Sequence, residues 1–220
     1  MVTLDARPEP IAIDPERSAV IVVDMQNSFV SKGGMFDLAD IDISGAPGAI
    51  DATSRLLAAA RRAGMPVVYL QMGFKPDLSD AGDPSLPVHH KELALIMMRA
   101  RPELKLLIED SWDWQIVDAL RPGPGDTVIR KNRYSGFVRT GLEAHLQRHK
   151  IRHLLFTGVA TNICVESTAR DAYFRDYFPI IVEDAVNQLG PEFNRQATLW
   201  NFEHALGWVT DSAAAIRALG

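Results

Sequence analysis

The sequence predicts an α/β fold, a parallel sheet of six strands in a three-layer, doubly wound arrangement with helices on both faces. Short, wholly apolar runs rich in β-branched residues alternate with longer stretches of helical periodicity. Strands of this kind are buried on both faces, as they are in parallel sheets. A length of 220 residues with 47% hydrophobic residues suits one domain with a substantial core.

Each predicted strand is an apolar run, and the runs lie at 19–23, 66–70, 127–129, 153–157, 179–182 and 207–209. The predicted helices show helical patterning, and they lie at 50–63, 112–120, 141–149, 164–175, 191–202 and 212–219. Gly64 suits the position that ends the first helix, and Pro191 suits the first turn of a later one.

Two segments depart from this alternation. Residues 1–17 contain prolines at 8, 10 and 15 and are predicted to form an extended N-terminal arm, followed by a single domain over 18–220. Residues 73–110 are rich in proline, glycine and aspartate, which predicts a long loop and a short helix over the edge of the sheet. Loops of that length in compact domains often line a site.

Composition excludes several classes of function. The formal net charge of −5 provides no basic field for nucleic acid. No run approaches the ~18 apolar residues of a membrane span, and the first residues lack the apolar core of a signal peptide. A single cysteine cannot form an internal disulfide and suits a reducing compartment. We therefore expect a cytoplasmic protein that binds neither nucleic acid nor membrane.

Three reactive side chains are predicted at strand ends. Asp24 ends the first strand, Lys131 follows the third, and Cys164 follows the fourth beyond a glycine-containing loop. The carboxyl ends of parallel strands share one edge, so the three can converge there. Taken singly, Asp24 also suits a turn cap, Lys131 a solvated charge cluster and Cys164 a buried core position. Their joint placement favours a site.

The residue types suit acyl transfer. Backbone N–H groups and the helix dipole at the start of a helix bias the Cys164 thiol towards the thiolate. Asp24 can take the thiol proton and pass it to a leaving amine. Lys131 can keep that carboxylate ionised and stabilise the thiolate. A thiolate that attacks a carbonyl forms an acyl-enzyme that water then cleaves.

Three motifs in order resemble the isochorismatase-like cysteine hydrolases. They are Val-Val-Asp-Met-Gln-Asn-Ser-Phe at 22–29, Lys-Asn-Arg-Tyr-Ser-Gly-Phe at 131–137 and Gly-Val-Ala-Thr-Asn-Ile-Cys-Val-Glu-Ser-Thr-Ala-Arg-Asp-Ala at 158–172. The resemblance implies a triad of Asp24, Lys131 and Cys164 on a six-stranded parallel sheet.

The same resemblance implies further features. The peptide bond between Val159 and Ala160 should be cis, and the amides of Ala160 and Cys164 should form an oxyanion hole. Residues 36–44 contain no histidine, so the metal site of the nicotinamidases in this family is absent and no cofactor is expected. A homo-oligomer, a tetramer or a dimer, is also implied.

The implied substrate is a small molecule with a terminal carbamoyl group. Most of the chain is similar to the ureidoacrylate amidohydrolases, whereas residues 73–80 are similar to biuret and triuret hydrolases. Lys75 and Arg133 are the local cations that suit a substrate carboxylate. Another small amide, such as a carbamoyl amine or maleamate, stays open as a substrate, and so does a non-catalytic redox-sensing protein that uses Cys164.

A small substrate pocket is expected near the triad. Aromatic side chains suit its walls or the plain core, and they are Phe29, Phe36, Phe74 and Tyr134. Gln71 closes the second strand at the same edge, where its amide can bind a ureido group or cap a loop.

Overall fold

The computed structural model describes residues 1–220 and has an α/β architecture. Its central sheet is built from β3 (Ser18–Val23), β4 (Val67–Met72), β5 (Thr127–Lys131), β6 (His153–Val159), β7 (Phe178–Asn187) and β8 (Trp208–Thr210). These six strands are all parallel and lie in the order β5-β4-β3-β6-β7-β8. The predicted fold class is confirmed.

Nine α-helices surround or connect the strands. They are α1 (Asn27–Val30), α2 (Met35–Leu38), α3 (Ala46–Arg62), α4 (Val88–Lys91), α5 (Leu93–Ala100), α6 (Leu142–Arg148), α7 (Glu166–Tyr173), α8 (Glu192–Asn201) and α9 (Ser212–Leu219). The short helices α4 and α5 occupy the irregular segment where a short helix is predicted. None of the helices has the length and apolar character needed to cross a membrane.

The core lies in two layers, one on each face of the sheet. All six residues of β3 are buried. Val20 and Val22 pack into one hydrophobic cluster, whereas Ala19, Ile21 and Val23 pack into the other. This alternation follows the pleat of a strand, which points successive side chains to opposite faces. An apolar run without polar residues is therefore what a central strand requires.

The order of the strands places the site. From β3 the chain moves outward through β4 to β5, and β6 then returns to the other side of β3 before β7 and β8 continue outward. The order therefore reverses between β3 and β6. In open α/β sheets, ligands bind at such a reversal, beyond the carboxyl ends of the strands.

The prediction of a helix over 112–120 is wrong, because only the last three residues of this range form a helical turn, and that turn is of the 3-10 type. The preceding residues of the range instead form hydrogen bonds with the chain that follows β3. The N–H of Asn27 donates to the carbonyl of Gln115 at 2.9 Å, and the N–H of Ser28 donates to that of Asp113 at 2.8 Å. Carbonyl groups that accept from a neighbouring segment cannot complete the ladder of a helix.

Residues 1–17 are extended, and they also pair with each other and with the domain. The strands β1 (Val2–Leu4) and β2 (Ile11–Ile13) form a two-stranded antiparallel sheet. Arg7, between them, forms a salt bridge with Glu183 at 3.0 Å. The side chains that this segment buries join the main hydrophobic cluster, so packing against the domain orders it.

Gly158, near the end of β6, has a backbone φ of +112°. A β-carbon there would overlap the carbonyl oxygen of Val23 on the neighbouring strand. We expect Gly158→Ala to destabilise the protein by roughly 2–4 kcal/mol, from the unfavourable φ together with the steric overlap. Gly48→Ala is the control, because nothing lies within 4 Å of its added methyl group. Urea unfolding of both variants tests this, and equal stability would contradict it.

Candidate active site

Asp24 lies directly after β3 and is fully buried. Its backbone has a φ of +50°, which turns the chain away from the sheet. The backbone is held on β4, where the Asp24 N–H donates to the Leu70 carbonyl at 2.9 Å. The carboxylate is held there too, since Oδ1 accepts from the Met72 N–H at 3.0 Å. These bonds direct Oδ2 along the edge of the sheet.

Lys131 is the last residue of β5 and is 3% exposed. Its Nζ lies 2.6 Å from Asp24 Oδ2 and donates a further hydrogen bond to the Arg133 carbonyl at 3.2 Å. Met72 on β4 pairs in register with Lys131, so the lysine reaches Asp24 across the intervening strand. A buried ion pair requires such additional hydrogen bonds to offset desolvation.

Cys164 lies in a π-helical turn, Thr161–Val165, that runs into α7. The carbonyl of Ala160 accepts from the N–H groups of Ile163 and Val165, which closes the first turn around the cysteine. The peptide bond between Val159 and Ala160 is cis. The Cys164 thiol is buried and interacts with the carboxylate of Asp24. The structure thus brings Asp24, Lys131 and Cys164 together.

Burial dominates the electrostatics of this cluster. It raises the pKa of the Cys164 thiol well above its usual range, although Lys131 opposes the rise. This direction is opposite to the thiolate bias that the sequence predicts, because desolvation of the anion outweighs the nearby ammonium. Burial also raises the pKa of Asp24, against the lowering effect of Lys131. A carboxylate with a raised pKa is a better base for the neutral thiol.

The pKa of Lys131 responds to the same neighbours. Burial is the largest single influence and lowers it, but the Asp24 carboxylate together with the other acidic groups, Cys164 and Glu92, outweighs burial, and the net shift is upward. Lys131 therefore stays an ammonium and provides the positive charge of the site.

A small cavity of about 100 Å³ opens beside the thiol. Phe29, Phe36 and Tyr134, three of the four aromatic residues considered as pocket walls from the sequence, line this cavity. The rings of Phe29 and Phe36 meet edge to face with centroids 5.1 Å apart. The other lining residues are Met35, Met72, Lys91, Glu92, Leu93, Ala160, Ile163, Cys164 and Leu189. The cavity suits a small, flat ligand held between apolar walls.

Two expected pocket residues lie elsewhere. Gln71 is buried at the end of β4, but its amide donates to the carbonyl of Trp114 at 3.1 Å and does not line the cavity. Phe74 is fully buried in the main hydrophobic cluster, where its N–H donates to the Leu107 carbonyl at 2.8 Å. The segment between 107 and 114 therefore hydrogen-bonds to both residues.

Two polar residues of the site were not predicted. Gln26 is fully buried, and its amide donates to the carbonyls of Met72 at 2.8 Å and Trp114 at 2.7 Å, which fixes the loop behind Asp24. The sequence feature that could have indicated Gln26 is its position in the first motif, two residues after Asp24. Glu92 lines the cavity from the irregular segment, and no local pattern marks it.

A larger pocket of about 390 Å³ adjoins the cavity and shares Lys91, Glu92 and Tyr134 with it. Arg133 and Arg139 also line this outer pocket, so its walls carry three cationic side chains. Lys75, the other expected cation, is exposed and lines neither space. The structure contains no group of three or more His, Cys, Asp or Glu side chains arranged to hold a metal ion.

The parallel α/β sheet and the buried Asp–Lys–Cys cluster at its carboxyl edge define the isochorismatase-like class of hydrolases. The sequence profile of the Isochorismatase domain matches residues 18–214. The chain therefore belongs to the isochorismatase family, and the predicted resemblance is confirmed, as is the prediction that the chain is a hydrolytic enzyme.

Several relatives are similar over the whole length. The ureidoacrylate amidohydrolase RutB of Klebsiella pneumoniae is 50% identical over 221 residues, covering 100% of this chain and 94% of its own. RutB of Agrobacterium fabrum is 51% identical over 209 residues, covering 94% and 92%.

Solved structures agree with this assignment. A cysteine hydrolase from Pseudomonas syringae has a TM-score of 0.79 at 28% identity and 94% coverage of both chains. N-carbamoylsarcosine amidase from Thermoplasma acidophilum has a TM-score of 0.67 at 27% identity, covering 89% of this chain and 96% of its own.

Proposed function

We propose that this protein hydrolyses a small linear ureide through a covalent intermediate on Cys164, with ureidoacrylate as the leading substrate. The family and the curated relatives support amide hydrolysis of a ureide. The observation that carries the covalent mechanism is the buried cluster in which Lys131 Nζ lies 2.6 Å from Asp24 Oδ2, and in which Cys164 interacts with both charged groups and lines the cavity. Burying two charges this deeply costs desolvation energy, so the presence of the ion pair supports a functional role for both residues.

The first step is attack on the carbamoyl carbon. Asp24 takes the thiol proton as the sulfur forms its bond to carbon, and the carbonyl electron pair moves onto oxygen. The amides of Ala160 and Cys164 are the proposed donors to that oxyanion, since preorganised N–H groups stabilise charge as it develops. Keeping the thiol neutral until the substrate is present avoids holding a buried thiolate.

The second step releases the amine. The oxyanion collapses, the carbon–nitrogen bond breaks, and Asp24 gives its proton to the leaving nitrogen. Water then attacks the carbamoyl group on sulfur, Asp24 accepts a proton from that water, and the thiol is restored by protonation. The products are the amine and carbamate, which decomposes to ammonia and carbon dioxide. Lys131 stays charged throughout and holds Asp24 in place.

The outer pocket favours ureidoacrylate over neutral ureides. Ureidoacrylate carries a carboxylate at the end opposite its carbamoyl group. Of the three cations of the outer pocket, Lys91 borders both spaces, and Arg133 and Arg139 lie beyond the cavity. Biuret and triuret have no charge for Lys91, Arg133 and Arg139 to bind. A carbamoyl amine is the second candidate, because the structurally similar protein from Thermoplasma acidophilum is an N-carbamoylsarcosine amidase.

The test is kcat/KM for ureidoacrylate, biuret, triuret, N-carbamoylsarcosine and maleamate on one preparation, with Cys164→Ser as the blank. We expect ureidoacrylate to lead the neutral ureides by about tenfold or more, the size of one charge-assisted contact. Arg139→Gln should reduce kcat/KM for ureidoacrylate and leave kcat/KM for biuret unchanged. A hundredfold preference for the neutral ureides would overturn the choice of substrate. Hydrolysis of none of these ureides would remove the class.

A further inference from the structure

Glu92 is the only carboxylate among the residues that line the cavity beside Cys164. It is 4% exposed, and its Oε2 atom is buried with no hydrogen-bond partner. A buried carboxylate oxygen without a partner is unfavourable, and carboxylates in folded proteins normally accept several hydrogen bonds. Oε2 of Glu92 is therefore an acceptor that the protein itself leaves unsatisfied.

Structural contacts account for only part of this side chain. Glu92 precedes α5, and the Ala94 N–H and the Tyr134 hydroxyl both lower the pKa of its carboxylate, but neither gives Oε2 a hydrogen-bond partner. The hydroxyl of Tyr134, which lines the same cavity, donates to the carbonyl of Lys91 at 3.3 Å. Burial raises the pKa of Glu92, and the charge of Lys131 opposes the rise, so the carboxylate lies within electrostatic reach of the catalytic cluster.

The chemistry of a carbamoyl group supplies the missing donor. Its carbon carries two nitrogens, and the one that leaves must face Asp24 to receive a proton. The other nitrogen stays on the carbon in the acyl-enzyme and keeps two N–H groups inside the cavity. Ten of the twelve residues that line the cavity are hydrophobic, so those N–H groups need an acceptor, and Glu92 provides one.

We infer that Glu92 accepts a hydrogen bond from the terminal –NH₂ of the bound carbamoyl group and so selects ureides over simple amides. This inference rests on the proposed function. It also fixes the direction of the substrate, because a carboxylate placed beside Glu92 would meet a like charge. Glu92 also borders the outer pocket, so the carboxylate of ureidoacrylate must point to the part of that pocket lined by Arg133 and Arg139.

The test compares ureidoacrylate with 3-acetamidoacrylate, in which a methyl group of similar size replaces the terminal –NH₂. Glu92→Met keeps the length of the side chain and removes the acceptor. We expect this substitution to reduce kcat/KM for ureidoacrylate by at least about tenfold more than for 3-acetamidoacrylate, as for loss of one hydrogen bond to a charged group. Glu92→Gln keeps one carbonyl acceptor and should show a smaller loss, confined to ureidoacrylate.

Asp211→Ala is the matched control. Asp211 also precedes a helix, α9, and accepts from the Ala214 N–H at 2.7 Å, but it lies outside the cavity. Its replacement should lower thermal stability without changing the ratio of the two substrates. If Glu92→Met does not fold, Glu92→Gln carries the comparison.

Equal losses on both substrates would overturn the role of Glu92 and leave the proposed function intact. If the wild-type protein hydrolyses no ureide, the proposed function fails and this inference fails with it.

Discussion

Replacing Cys164 with serine should abolish turnover while the fold persists. Serine is close in size to cysteine, so the buried site should keep its packing, but its hydroxyl is a far weaker acid than a thiol. Asp24 is then too weak a base to generate the nucleophile. We expect kcat/KM for ureidoacrylate to fall by about 1,000-fold or more, as for loss of a nucleophile that acts as one unit with its base.

Binding should survive this substitution, because the cavity walls and the outer pocket are unchanged. Isothermal titration of Cys164→Ser with ureidoacrylate should show saturable binding, and its melting temperature should stay close to that of the wild type. Cys164 is the only cysteine in the chain, so alkylation by iodoacetamide reports on this thiol alone. Turnover by Cys164→Ser within tenfold of the wild type would contradict the proposed mechanism.

Replacing either partner of the buried ion pair should reduce both stability and activity. Lys131→Met leaves the Asp24 carboxylate buried without its cation, and Asp24→Asn leaves the ammonium without its anion. Breaking a buried pair on one side costs about 3–5 kcal/mol. We expect losses of that order in the free energy of unfolding, together with at least about a hundredfold loss of kcat/KM.

A variant with both residues replaced separates the loss of stability from the loss of activity. Asp24→Asn with Lys131→Met removes both charges, so we expect it to be more stable than the sum of the single losses predicts, while activity stays at the level of the worse single variant. Arg55→Met is the control, because its salt bridge with Asp51 is exposed and should contribute little. Wild-type turnover and alkylation of Lys131→Met would show that the lysine has no part in the reaction.

The sheet could be predicted from the sequence because its strands are buried on both faces. A run such as residues 19–23 has no polar residue to offer solvent, and it becomes the fully buried β3. Residues 112–120 show why other elements could not be predicted. Their local pattern is compatible with a helix, but their carbonyls accept from the chain after β3, and this long-range pairing overrides local propensity.

The residues of the candidate site also fall into those that the sequence could predict and those that it could not. Asp24, Lys131 and Cys164 follow strands whose carboxyl ends share an edge, so the topology brings them together once the strands are known. Gln71 lies at that edge too, but a distant segment takes its amide. Glu92 comes from an irregular segment without periodicity, and only the folded chain brings it to the cavity.

The most direct test of the proposed mechanism is a rapid acid quench of wild-type protein during its first turnover of ureidoacrylate, followed by mass spectrometry of the peptide that carries Cys164. We expect a carbamoyl group on Cys164 that forms as the amine is released and disappears when the substrate is exhausted. A complete first turnover with Cys164 unmodified at every quench time would contradict the covalent mechanism.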